Sequence, residues 1–273
     1  MSAQKNVDIE GVVYKDGTKS KISFSYLRRF NLIMGIVHFV QATFMLIFGL
    51  TNDNFKNFGV TINILQVDYP FNVFEEFFIL NNVGPIVASF LYFSALAHLL
   101  VAGPLYNFYK KKLASKMNPI RWFEYAFSSS IMIFFIAVLF GVKEFWILLL
   151  IFSINALMNL FGHMMELHNQ FTEKTNWTAY IYGWIAGIMP WVVITAVFAP
   201  LTQNTGMPWF VPFIYAFEIA LFMSFAFNML LQYLKVGPWK DYIFGERMYI
   251  ILSLVAKTLL AWLVFAGVLQ PGG

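Results

Sequence analysis

The sequence contains no cysteine, and only 12% of its 273 residues are charged. Without cysteine it cannot be a small secreted module stapled by disulfides. With 59% hydrophobic residues and so few charges, it does not read as a soluble globular chain either. Histidines number four, so metal ligands are scarce. The one compact set, His163, Glu166 and His168, lacks His-Glu-x-x-His spacing and falls at a helix end, so no metal site is expected. Also missing from the first 29 residues is an early apolar core followed by a small-residue cleavage site, so no cleavable signal peptide is expected and the first apolar segment should itself direct insertion. No internal repeat or low-complexity tract divides the chain. A nucleophile-base constellation is absent as well, and no enzymatic activity is expected.

What is abundant is apolar sequence. Windows of about 20 residues, the length that crosses a ~30 Å hydrocarbon core, recur at 30–50, 84–108, 120–142, 145–166, 178–200, 210–234 and 248–268. The expected fold is an all-α membrane protein, a bundle of seven transmembrane helices over residues 30–268. A basic segment over 1–29 precedes it and a short tail over 269–273 follows. Fifteen Lys and Arg residues fall in the N-terminal segment and the even-numbered connections, including Lys110, Lys111, Lys112 and Lys116, against Lys56 and Lys143 on the other side. By the positive-inside rule the N-terminus is cytoplasmic and the C-terminus extracellular. The same imbalance produces the basic charge, which faces anionic lipid headgroups rather than nucleic acid.

The longest connection, residues 51–82, is extracellular in this topology. Its "VTINILQVDY" alternates apolar and polar residues, which predicts a short β-hairpin. "NWT" at Asn176 matches a glycosylation pattern but falls on the cytoplasmic side, so no glycan is expected. Glycines in "TAYIYGWIAGIMPW" should permit close helix contact, and Pro190 should kink the fifth span.

Inside this apolar frame the polar residues are informative, because each is costly in hydrocarbon. Lys257 lies mid-way along the seventh window with no charged residue within nine positions on either side. A central lysine costs roughly 2.5–3.5 kcal/mol on insertion scales, and it is too deep to snorkel. It needs a partner or a modification. Ser253, four residues earlier, shares its helix face and could hydrogen-bond a group at the lysine tip. Glu124, in "RWFEYAFSSSIMIFF" of the third window, is the expected partner charge, since a lysine side chain leans toward its helix N-terminus. Two readings follow. Lys257 and Glu124 form a structural ion pair in a membrane scaffold without chromophore, or the amine forms a Schiff base with an aldehyde while Glu124 serves as counterion. An aromatic content of 19% suits a flat conjugated ligand, although aromatic residues also serve as membrane anchors.

Seven spans, a lysine in the seventh and Arg-x-x-Glu at the start of the third resemble a retinal-binding rhodopsin. The inverted orientation resembles the heliorhodopsin family in particular. "LRRFNLIMGIVHFVQ", "ALAHLL", "RWFEYAFSSSIM", "SINALMNLFGHMME" and "FGERMYIILSLVAKTLLAW" are similar to heliorhodopsin segments in order along the chain. The microbial pumps and sensory rhodopsins carry an aspartate where this chain has Ser253. The resemblance implies that Lys257 binds all-trans retinal covalently, that Glu124 is its counterion, and that Ser253 hydrogen-bonds the Schiff base region. Tyr125, Ser129 and Asn155 match further polar positions of the binding site. His38, His98 and Arg121 would belong to a cytoplasmic cluster that accepts the proton; from the residues alone, either histidine reads as a hydrogen-bonded core residue. Glu166 and Arg121 lie near the cytoplasmic mouth, where a solvated helix-end charge is the simpler expectation. The resemblance also implies a homodimer, with the 51–82 loop as a candidate contact, in the plasma membrane.

Outward proton pumps place a carboxylic donor eleven residues, about three turns, after the counterion; here that residue is Phe135, within "FFIAVLF". The expected function is therefore a light sensor with a slow photocycle and a signalling output, not a pump. Glu218, well inside the sixth window, keeps a light-gated proton or ion channel of the viral heliorhodopsin type open as the alternative, with Glu166 as a second candidate gating acid.

Overall fold

The computed structural model describes residues 12–68, 70–203 and 211–269. Lys5 and residues 270–273 of the expected tail lie outside the described residues. Within them, seven helices are long and apolar enough to cross a membrane: α1 (Phe24–Thr51), α2 (Val83–Ala102), α3 (Pro119–Leu139), α4 (Phe145–His168), α5 (Thr178–Leu201), α6 (Val211–Tyr233) and α7 (Tyr242–Val268). Neighbours in sequence pack side by side from α1 to α5, α6 packs on α7, and α7 returns to α1. Aromatic contacts of Trp191 with Tyr215 and Phe222 close the ring between α5 and α6.

Helix starts follow the capping residues. Ser23 accepts from the Tyr26 N–H, Asn118 from Arg121 with Pro119 at the first turn, Glu144 from Ile147, and Asp241 from Ile243. These caps correct two boundaries expected from hydropathy, which begins counting only where charge ends. α1 begins at Phe24 rather than residue 30, and α7 at Tyr242 rather than 248. The second window is corrected at its other end. Gly103 and Pro104 stop α2 after Ala102, and the chain resumes as the separate short helix Tyr106–Ala114.

Between α1 and α2 stands the antiparallel hairpin of β1 (Gly59–Asp68) and β2 (Phe71–Asn81), with one irregularity at Ile62/Asn63. It is tied to the bundle by the Asn63 N–H on Lys143 O at 2.7 Å and by Phe77 against Phe145. Beneath it α1 and α2 cross closely. A Cβ on Gly84 would lie 2.7 Å from Gly49 Cα, so only glycine allows this approach. Gly187 likewise faces α4, where a Cβ would lie 2.6 Å from the Met158 sulfur. The two ends of the bundle are thus distinct: a hairpin end, and a basic end bearing the Tyr106–Ala114 helix and the α6–α7 connection.

Candidate functional site

In the hydrocarbon layer a charged amine is retained only when its partners are supplied by the bundle interior. Lys257, 3% exposed, has them. Its Nζ lies 2.7 Å from Glu124 Oε1 of α3 and donates to Ser94 Oγ of α2. Ser94 Oγ in turn donates to the same Glu124 oxygen at 2.6 Å. Three helices therefore meet at one hydrogen-bonded triangle. Ser94 was not singled out from the sequence: a serine in an apolar helix is too common to stand out, and only the α2–α3–α7 packing brings it to the lysine.

On one side of this triangle is an apolar cavity walled by Tyr125, Ser129, Met132, Phe222, Phe225, Ser253 and Lys257. It shares Tyr125, Met158, Asn159, Phe222 and Phe225 with a second cavity that runs between α4, α5 and α6 past Trp122, Trp184 and Trp191. Gly162 makes room there: a Cβ would lie 2.3 Å from the Trp122 ring. Ser253 Oγ is buried on the wall without a hydrogen-bond partner among the described residues, and the free Lys257 amine donates to Ser94. Ser129 accepts from Asn155 at 2.8 Å and from Asn159 at 3.0 Å, which pins α4 to α3 along the same wall. A buried amine at the end of a long, aromatic-lined, connected space, with a hydroxyl left unengaged on its wall, fits a covalently attached conjugated aldehyde.

On the other side, a smaller cavity is bordered by Glu124, His98, Asn31, Tyr109, Arg121 and Glu246. His38 and His98 stack with ring centroids 5.6 Å apart. His98 Nδ1 is 2.8 Å from Asn31 Oδ1, whereas neither ring nitrogen of His38 has a partner among the described residues. The hydrogen-bonded core histidine expected for either position is thus corrected for His38, which is buried against the imidazole of His98 with no hydrogen-bond partner among the described residues.

The expectation of solvated helix-end charges at Arg121 and Glu166 is also overturned. Their side chains are 4% and 1% exposed. Arg121 binds Glu166 Oε1 at 2.6 Å and pairs with Glu246 of α7, a residue that the sequence did not single out. Tyr242, Trp122 and the Asn118 backbone N–H donate to Glu166, and Asn118 Nδ2 donates to Glu246 at 2.6 Å. Tyr109 donates to Glu246 at 3.2 Å, and both burial and that carboxylate push its phenol well above the ordinary tyrosine range. The helix ends are buried because the Tyr106–Ala114 helix and the start of α7 fold over them. Glu218 of α6 stands apart, fully buried in the hairpin half, with neither carboxyl oxygen hydrogen-bonded among the described residues.

The heliorhodopsin family model matches residues 27–269, nearly the whole chain. No curated protein matches it. The chain belongs to the heliorhodopsin family.

Proposed function

We propose that this heliorhodopsin is a light sensor in which Lys257 would carry all-trans retinal as cofactor, and in which a slow change of helix packing is read on the cytoplasmic side without ion transport. The observation that carries this reading is the buried Lys257–Glu124–Ser94 triangle at the end of the aromatic cavity. Retinal, when bound, supplies visible-light absorption and light-driven isomerisation. The protein does the rest. Glu124 balances the charge on the Lys257 nitrogen, and Ser94 orients the carboxylate. Tyr125, whose ring lies 5.3 Å from Nζ and whose hydroxyl is held by Tyr249 O, keeps the cavity wall rigid. A proton leaving the Lys257 nitrogen has Glu124 as its first neighbour. The cavity beyond is bordered by His98, which is hydrogen-bonded to Asn31 and stacked on His38, and its imidazole would hold the proton.

The fifteen-to-two distribution of Lys and Arg supports a cytoplasmic N-terminus and basic end. Phe135, where a pump would carry its donor, is wholly buried in the hydrophobic core, which supports the absence of pumping. A homodimer in the plasma membrane accords with the resemblance of the chain, and lipid is the remaining partner.

Glu124→Gln tests the counterion role. The visible band should move, and its alkaline bleaching should begin about one to three pH units lower, since a nearby negative charge favours the protonated nitrogen. An unchanged spectrum and titration would remove Glu124 from that role.

A second reading, a light-gated proton or ion channel, is favoured by Glu218 alone, an acid buried within α6 with neither carboxyl oxygen hydrogen-bonded among the described residues. Voltage-clamped cells expressing the native chain should give no photocurrent. A current that disappears in Glu218→Gln would establish the channel instead.

A further inference from the structure

At the basic end, the N-terminal turn, the Tyr106–Ala114 helix, the α4–α5 connection and the α6–α7 connection surround a groove with an open volume of about 1300 Å3. Four lysines line it: Lys15, Lys116, Lys235 and Lys240, against the acids Asp16 and Glu173. Lys116 is engaged by Asp16, and that hydrogen bond holds the Asp16 carboxyl below the ordinary range. The other three make no ion pair among the described residues.

Two of these lysines occupy positions that a lysine does not favour. The Tyr106–Ala114 helix ends with Lys116 N–H on Leu113 O and Met117 N–H on Lys112 O. α6 ends in the same way, with Lys235 N–H on Gln232 O and Val236 N–H on Leu231 O. Both ends are Schellman turns, in which the left-handed residue is usually glycine. Here the left-handed residues are Lys116 at φ 55° and Lys235 at φ 53°. A cation does offset a helix carbonyl end, but a lysine one turn earlier would do so without the left-handed backbone. Lys15 and Lys240 sit on no α-helix end, so their charge is in excess of that need.

The groove is concave, and its floor leads inward. Tyr233 donates to Met165 O at 3.1 Å and Tyr242 to Glu166 Oε1 at 2.8 Å. Glu166 holds Arg121, which holds Glu246, and Arg121 and Glu246 border the cavity that reaches Glu124. An occupant of the groove is one hydrogen bond from the ion cluster that joins α3, α4 and α7.

We propose that this lysine-lined groove is a binding site for a phosphate-bearing anion, either a soluble phosphorylated molecule or an anionic lipid headgroup, and that light alters its affinity through Tyr242 and the Arg121 cluster. Binding in the dark is independent of the photoreceptor role; the effect of light rests on it. Linkage is reciprocal, so an occupant that favours one packing of α7 is itself bound differently when that packing changes.

The test is calorimetric titration of inorganic pyrophosphate into the full chain in nanodiscs of phosphatidylcholine. One-to-one binding is expected, weakened at least about tenfold by Lys235→Gln/Lys240→Gln, as lost charge-assisted contacts imply. Lys111→Gln/Lys112→Gln, the same charge change outside the groove, should leave it within about twofold, as expected for screened surface charge. No binding, or equal weakening in both variants, overturns the site. Weaker binding in discs that include phosphatidylglycerol assigns the groove to a headgroup, and unchanged binding assigns it to a soluble anion. Repeated under illumination, the native affinity should shift. An unchanged affinity in protein with a normal visible band overturns the coupling. Protein without a visible band refutes the photoreceptor role and leaves the dark titration to stand by itself.

Discussion

Lys257→Ala should be colourless after incubation with all-trans retinal, while the native chain under the same conditions shows a visible band. The expected effect is complete loss rather than a shift, because no other amine lies on the wall of the aromatic cavity among the described residues. The substitution also removes the partner of Glu124 and leaves a carboxylate buried with Ser94 alone. Breaking a buried pair costs about 3–5 kcal/mol, so misfolding could mimic loss of the chromophore site. Lys257→Ala/Glu124→Gln resolves this. The double variant should be colourless as well, yet melt at a higher temperature than Lys257→Ala, since the uncompensated charge is gone. If native and variant proteins are both coloured, or both colourless while folded, the pair is a structural tie and the scaffold reading takes precedence.

Arg121→Met should be the most destabilising single change at the basic end. Among the described residues Arg121 is the one cation paired with Glu166 and Glu246, and all three side chains are at most 4% exposed. Its removal leaves two acids facing each other in a site closed by Tyr109, Tyr242 and Trp122. A loss of about 3–5 kcal/mol or more is expected, read as a lowered melting temperature in detergent. Adding Glu166→Gln and Glu246→Gln should restore much of it, because a buried ion cluster is needed for charge balance more than for net stability. The restored protein should still bind retinal, since none of the three residues lines the aromatic cavity. A single Arg121→Met variant as stable as the native chain would show that the cluster is solvated.

The membrane architecture was legible in the chain because hydropathy and charge act locally. Seven apolar windows, the hairpin alternation in residues 51–82 and the isolation of Lys257 each depend on nearest neighbours in sequence. So does the need of that lysine for a partner, since a charge in hydrocarbon carries its cost wherever the helices go. Helix ends were less legible. Hydropathy marks where charge stops, whereas caps such as Ser23 and Asp241 and the Gly103-Pro104 break decide where hydrogen bonding stops. Which polar residues meet was decided by tertiary structure alone. Ser94 at the lysine, Glu246 on Arg121 and the four lysines around one groove are contributed by helices and loops far apart in the chain. No periodicity within one helix reports such meetings. They depend on how the seven helices rotate about their axes and on how the connections fold over the bundle, and close approaches such as Gly49 to Gly84 and Trp122 over Gly162 set both.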